Sequence, residues 1–565
     1  MSLYPVVPGA RDGFAEDGLL VAFRLDEVTS PLRDGTALGA GDRSALVIGG
    51  TERIRSGEVM VFCKVVAVAP AVVRRDGRVQ AKGSPAVHAT LGPLEEWLES
   101  QAGPGVIAGA AERAVLDSRF VKGERERLLT AAFMIRVIVL MTLMPEAGIR
   151  DAVIALAGDL AMVPWSRRWE APSERALGDW RSALGPGPAE ELLRIVLGAS
   201  LREHGERDWR EARAGRLRVC SLDGTLIRVP DTPANRAAFG SAGTGDGSSP
   251  FPQVRALPMN DVSSRALLGI THGPSGGGKG KAAGEQTLLD AAMQEYPHLF
   301  TKDRLWLMDR NFPGAARLAR LIARTHVLIR LKSDIPLKPT SPILPDGSYL
   351  AELSGDGLTV PVRVIEYYVT VEGQDVPEMF CLVTDLTSTE EHPAAQLAGL
   401  YKWRWDGSET ALREAKASLD GAGPGTGPMF RSQSPALVRQ ELAAWAAATE
   451  MTRGVARDAA LAAAPARRGR CAGQPVRPRN ISCSRTRRAV TAAIRASQTC
   501  YETLTREIAR YRVVTDRNRH RARKSKSPSS LGHMTSKDTR TRTAPAIITM
   551  ANGPARTAEI SSYPQ

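Results

Sequence analysis

Neither a disulfide framework nor a zinc site can be read in this chain of 565 residues. Its six cysteines (Cys63, Cys220, Cys381, Cys471, Cys483 and Cys500) are scattered, and none forms a CxxC pair. The opening residues, MSLYPVVPGARDGFAEDG, lack a basic stretch followed by an apolar one, so no secretory leader is expected. The longest apolar run, Leu128 to Met144, is broken by Arg136 and is too short to span a membrane; it reads as a buried helix. A cytoplasmic protein with no membrane attachment is therefore expected. Aromatic residues make up only 5% of the chain, but apolar residues make up 43%, enough to build real cores. The length predicts two or three globular units, and no internal repeat is evident.

Negative charge is scarce in one region only. Of the net charge of +14, the segment Met451 to Gln565 carries 24 Lys and Arg against 6 Asp and Glu, whereas residues 1–450 carry 51 against 55. The whole basic excess sits in the last fifth of the chain. Such a segment serves a polyanion, because neutralising phosphates releases condensed counterions; a solvated tail is the plainer reading.

Residues 1–103 form a weakly patterned extension with a strand pair around Val59–Val73. Residues 104–216 are predicted to form a small all-α domain, since apolar residues recur at helical spacing in Leu128–Met144, Ala152–Leu160 and Ala189–Leu201. Residues 217–450 alternate strands and helices. Strands are predicted at Leu217–Leu222, Val254–Met259, Ala266–Thr271, Leu305–Met308 and Val327–Leu331, with helices at Glu285–Glu295 and from Pro313 to about Arg324. This is the pattern of a mixed-sheet α/β architecture. Within it, about 336–387 turns all-β, with strands at Tyr349–Leu353, Val360–Glu366, Tyr367–Val371 and Met379–Thr384 and turns at Asp346-Gly347, Asp356-Gly357 and Glu372-Gly373. Helices at Glu409–Leu419 and Pro435–Ala459 follow, and residues 451–565 form a basic, partly disordered region.

Asp223 and Asp309 each fall just past an apolar strand. In a mixed sheet such strand ends can hold two carboxylates close together, a pair that repels itself unless a cation compensates. Glu409, on a following helix, could complete a two-metal site. Taken singly, each is a surface carboxylate or a helix cap, and their surroundings do the selecting. SLDGT around Asp223, LWLMDRNFPG around Asp309 and YKWRWDGSETALREAK around Glu409 resemble the three catalytic blocks of the DDE transposases of bacterial insertion sequences. The nearest subgroup has a last block reading Tyr-x2-Arg-x3-Glu-x6-Lys. Tyr401, Arg404, Glu409 and Lys416 match it, except that four residues rather than three separate Arg404 from Glu409. Asp406 and Glu414 are fallback candidates.

The resemblance, which covers roughly residues 104–450, implies a ribonuclease-H-like catalytic core that the expected strands fit. It implies a β insertion before the third block and a helical N-terminal domain. VVTDRNRHRARK near Asp516 resembles the family's C-terminal part. The activity implied is cleavage and strand transfer at transposon ends, using two Mg²⁺ or Mn²⁺ ions on Asp223, Asp309 and Glu409. Tyr401, Arg404 and Lys416 would hold backbone phosphates, and Trp403 and Trp405 would stack on an extruded base. The partners implied are double-stranded DNA, as terminal inverted repeats and target, and a second copy of the chain in a nucleoid-associated bacterial complex.

Two other classes compete. A catalytically decayed, DNA-binding remnant of such a transposase would keep the same blocks. A P-loop NTPase is suggested by Gly273 to Lys279, which reads G-x4-G-K after an apolar strand, with Leu305–Asp309 as its second motif. A P-loop needs Ser or Thr after the lysine to ligate magnesium, and Gly280 stands there. Lys279 and Lys281 in a flexible loop near DNA phosphates are the simpler reading.

Overall fold

The computed structural model describes residues 90–113, 130–157, 171–203, 214–241, 250–276, 284–332, 335–370, 377–419, 428–463, 476–496, 500–513 and 548–552 with their side chains, and the backbone of some further helix and strand residues. In the N-terminal hundred residues the strand Val59–Ala67 pairs with Leu19–Arg24 and Arg43–Arg53, not with Ala71–Val73.

A helical body opens with α1 (Pro93–Ala102), α2 (Val106–Val115), α3 (Ala131–Leu143), α4 (Ile149–Ala157), α5 (Glu174–Leu184) and α6 (Gly187–Glu206). Local chemistry sets its boundaries: Thr130 accepts from the Phe133 amide at the start of α3, and Ser173 accepts from the Ala176 amide at the start of α5. α3 is buried on nearly every side, which explains why its sequence is apolar all round.

The chain then enters a large mixed sheet through β1 (Leu217–Leu222), β2 (Gln253–Asp261) and β3 (Leu267–Pro274). α7 (Glu285–Glu295) leads to β4 (Arg304–Met308), and α8 (Ala315–Ile322) leads to β5 (His326–Arg330). The sheet order is β3-β2-β1-β4-β5; β2 runs antiparallel to both β1 and β3, while β4 runs parallel to both β1 and β5. Alternate residues of β4 enter different cores: Trp306 and Met308 pack with α7 and α8, Leu305 and Leu307 with the opposite face.

The β-rich segment adds β6 (Tyr349–Gly355), β7 (Leu358–Val371) and β8 (Glu378–Thr384). It is not a separate body, because β8 pairs antiparallel with β5 and carries β7 and β6 outward on the same sheet. The two strands expected at Val360–Glu366 and Tyr367–Val371 are one, β7. The Asp356-Gly357 turn is as expected: both residues have positive φ, which a two-residue hairpin loop of this kind requires. Glu372-Gly373 lies outside the described residues.

α9 (Ala394–Tyr401), a π-helical turn (Trp405–Thr410) and α10 (Ala411–Lys416) return the chain across the sheet. α11 (Pro435–Ala462) then runs back through the helical body, where α12 (Cys483–Ala496) and α13 (Tyr501–Ile508) also pack. The helical body thus draws on both ends of the chain. It begins near residue 91 rather than at 104, and the boundary expected at 450/451 falls inside α11. Part of the basic C-terminal region is therefore folded core. The segment near Asp516 lies outside the described residues. Among the described residues, no helix is long and apolar enough to cross a membrane.

Candidate active site at the strand ends

β1 and β4 are adjacent and parallel, with Ser221 opposite Leu307. Asp223 and Asp309 each stand two residues beyond that couple, so the topology delivers both carboxylates to one edge of the sheet. Asp223 is only 9% exposed. Burial, opposed by Arg404 and reinforced by Glu409, Glu285 and Asp309, pushes its carboxyl up to about 7. Glu409 thus shares this electrostatic neighbourhood, although it is 100 positions past Asp309 in sequence.

Glu409 lies in the π-helical turn, in the stretch where four residues separate it from Arg404. In a π-turn hydrogen bonds run from i to i+5 instead of i to i+4, so one extra residue fits without turning the helix face away. Arg404 and Glu409, five apart, therefore keep the relation that an α-helix gives to residues four apart. The turn is pressed against the end of β1: a Cβ built on Gly407 would collide with Ser221 Oγ and stand 2.8 Å from Val262 Cγ2. Only glycine permits that approach.

Arg404 is the hub. Its Nη1 donates to Asp223 Oδ2 at 3.1 Å. Burial works to lower its basicity, but Tyr401, Asp223, Asp309 and Glu409 outweigh it and leave the group more basic than usual. Among the described residues, no three acidic, histidine or cysteine side chains stand close enough to hold an ion as they are. Asp223 is instead engaged by this arginine.

The remaining residues singled out from sequence separate cleanly. Tyr401, expected on a phosphate, is 5% exposed and its hydroxyl donates to the Met308 carbonyl at 3.0 Å, tying α9 to the strand end before Asp309. Trp403, expected to stack on a base, is 4% exposed, and the Arg479 guanidinium lies 4.0 Å from its ring centroid. Both are core residues here, because the helix presents that side to the sheet. Trp405 is 59% exposed. Lys416 ends α10, half-buried. The fallback acids are committed elsewhere: Arg265 reaches Asp406 at 3.6 Å and Glu414 at 2.9 Å.

Three arginines from distant parts of the chain hold this helical segment. Besides Arg265, Arg453 of α11 donates to the Ala411 carbonyl at 2.8 Å, and Arg479 approaches Asp406 at 3.8 Å. A fourth carboxylate, Glu285, was not singled out from sequence. It opens α7, pairs with Arg255 at 3.1 Å and lies so close to Gly224 that a Cβ there would collide with its side chain. An acidic residue in a first helical turn is too common a pattern to have marked it.

The Gly-rich loop does not stand at a parallel strand end as a P-loop does. Gly273 and Pro274 belong to β3, which pairs antiparallel with β2. Lys279 and Lys281 lie outside the described residues.

The chain has relatives among known proteins. Residues 110–194 match the family model described as insertion element 4 transposase N-terminal. The transposase InsG for insertion sequence element IS4 of Escherichia coli (strain K12) is 25% identical over 332 residues, covering 56% of this chain and 68% of that protein. A piggyBac transposase, solved as a synaptic complex with hairpin DNA, aligns over 74% of this chain and 85% of its own at 13% identity, with a TM-score of 0.36. Both sequence matches are to transposases, and the chain is similar to those of the IS4 type of insertion sequence.

Proposed function

We propose that the chain is a transposase of the IS4 type that cuts and rejoins DNA at the ends of its own element by DDE-type phosphoryl transfer. The observation that carries the reading is the convergence on Arg404: Asp223 and Asp309 at matching positions past adjacent parallel strands, and Glu409 on the turn that Gly407 presses against β1. The order β3-β2-β1-β4-β5, with its antiparallel first three strands, supports a ribonuclease-H-like core.

The donor set fits the metal that such chemistry uses. It is all carboxylate oxygen, as Mg²⁺ and Mn²⁺ prefer, and the mutual repulsion of Asp223, Glu409 and Asp309 is what a divalent cation relieves. Asp223, Asp309 and Glu409 would hold two ions, which when bound activate the attacking oxygen and stabilise the leaving one. Arg404, planar and permanently charged, exchanges its carboxylate partner for a backbone phosphate, and Lys416 adds a second phosphate contact. Trp405 offers an exposed ring to a base displaced from the duplex. In the first step water adds to phosphorus and the 3′ oxygen leaves as a hydroxyl. In the second, that 3′-OH attacks a phosphodiester of another strand and displaces a new 3′ oxygen. Two ends must be joined in one complex, which calls for a homodimer.

The test is full-length protein on duplexes carrying the element's ends, with Mg²⁺ or Mn²⁺. Nicking at the end that is lost in Asp223→Asn, with DNA binding retained, is expected. Wild-type binding without any cleavage would instead identify a decayed remnant, and ATP turnover lost in Lys279→Ala would revive the P-loop reading.

A further inference from the structure

α12 is amphipathic in an unusual way. Its buried side is Thr486, Val490, Ala493 and Ile494; its exposed side carries Arg485, Arg488, Ala492 and Arg495, at i, i+3, i+7 and i+10 on one stripe. α13 packs beside it, and the chain after α13 returns to the start of α12 through the bridge between Ile481 and Arg512. This brings exposed Arg510 and Arg512 to the Arg485 end, around Tyr511, whose ring centroid lies 6.0 Å from the Arg485 guanidinium carbon. A shallow groove of about 520 Å³ separates the two helices, lined by Arg485, Arg488, Ala492, Leu504, Glu507 and Tyr511. Glu507, the acid of that lining, accepts from the Tyr511 hydroxyl at 2.5 Å. Arg495 also meets the Met144 sulfur, at 3.8 Å.

We propose that this face docks the phosphate backbone of duplex DNA, independently of sequence. The inference rests on the DNA-processing role proposed above and adds where the duplex is held. Arg485 to Arg495 rise about 15 Å along the helix axis, enough to reach across the ~12 Å major groove to phosphates of both strands. Small alanines between the arginines let a backbone come close. The charged groups of the stripe are guanidinium groups, which pair with backbone phosphates, the contacts that position a duplex.

Binding of the full-length chain is measured without divalent cation, so that failure of the cleavage reading cannot affect the result. Each phosphate that the protein ceases to neutralise flattens the slope of log affinity against log salt by about 0.9. The triple variant Arg485→Ala, Arg488→Ala, Arg495→Ala is therefore expected to flatten it by roughly two to three, equally on end DNA and on unrelated duplex. The corresponding triple lysine variant is expected to retain most of the slope. In the wild type, bound duplex is expected to shield these three arginines from phenylglyoxal. An unchanged slope, a weakening confined to end DNA, or no shielding would each overturn the proposal.

Discussion

At Gly407 one missing side chain sets the approach of a whole helix. Gly407→Ala forces the π-turn off β1, because the nearest obstacles are Ser221 Oγ and the Val262 side chain rather than a flexible tip. Overpacking of this kind costs about 1–3 kcal/mol, and loss of DNA cleavage is expected to exceed the loss of stability read from urea unfolding. Adding Ser221→Ala, which removes the closest oxygen, is expected to recover part of both. Cysteine reactivity is also a local matter. Burial pushes the thiols of Cys220 and Cys381 up to about 12 and that of Cys483 up to about 11. Cys500 is exposed at the start of α13, where the Thr503 and Glu502 amides lower its pKa. Iodoacetamide at neutral pH is expected to label Cys500 ahead of those three, as read by peptide mass spectrometry.

The π-turn makes the clearest prediction among the elements. If it absorbs one surplus residue, deleting Asp406 lets the segment relax to a regular α-helix with Arg404 and Glu409 four apart. Cleavage by that variant is expected within about tenfold of wild type, a change of no more than ~1.4 kcal/mol in the barrier. Inserting an alanine after Asp406 carries Glu409 round the helix and is expected to abolish cleavage while leaving DNA binding. Equal impairment in both variants would count against the register argument. The same segment shows why the C-terminal region matters to the site: Arg453 and Arg479 hold it from outside the sheet, beside Arg265.

The two halves of the molecule are joined by a buried ion network. Arg457 Nη2 bonds Glu203 Oε2 and Glu450 Oε1, both at 2.8 Å, and all three side chains are at most 2% exposed. Glu450 also accepts from Ser200 Oγ at 2.7 Å and from the Leu267 amide, at 2.6 Å, at the start of β3. α11 is thereby fastened to α6 and to the sheet at once. Glu450→Ala leaves the β3 amide without its carboxylate acceptor and Arg457 short of one partner, a destabilisation of about 3–5 kcal/mol. Urea unfolding is expected to separate into two transitions in that variant; a single unshifted transition would refute the coupling.

Strands and helices flanking the site were legible because each has strong local periodicity: Leu217–Leu222 and Glu285–Glu295 stand where the pattern put them. The acids Asp223, Asp309 and Glu409 stand out by motif; the two aspartates are brought to one edge by strand pairing and Glu409 by the packing of its turn on β1, neither of which any local window contains. Burial of Tyr401 and Trp403, with exposure of Trp405, was not legible, since the residues alternate in one helix and only the packed sheet decides which side is covered. Local order, the motif blocks and the resemblance to transposases came from the chain's own sequence. The π-register at Glu409, the union of helices α1–α6 with α11–α13 in one body, and the arginine that occupies Asp223 were decided by tertiary packing, because each depends on contacts between segments far apart in sequence.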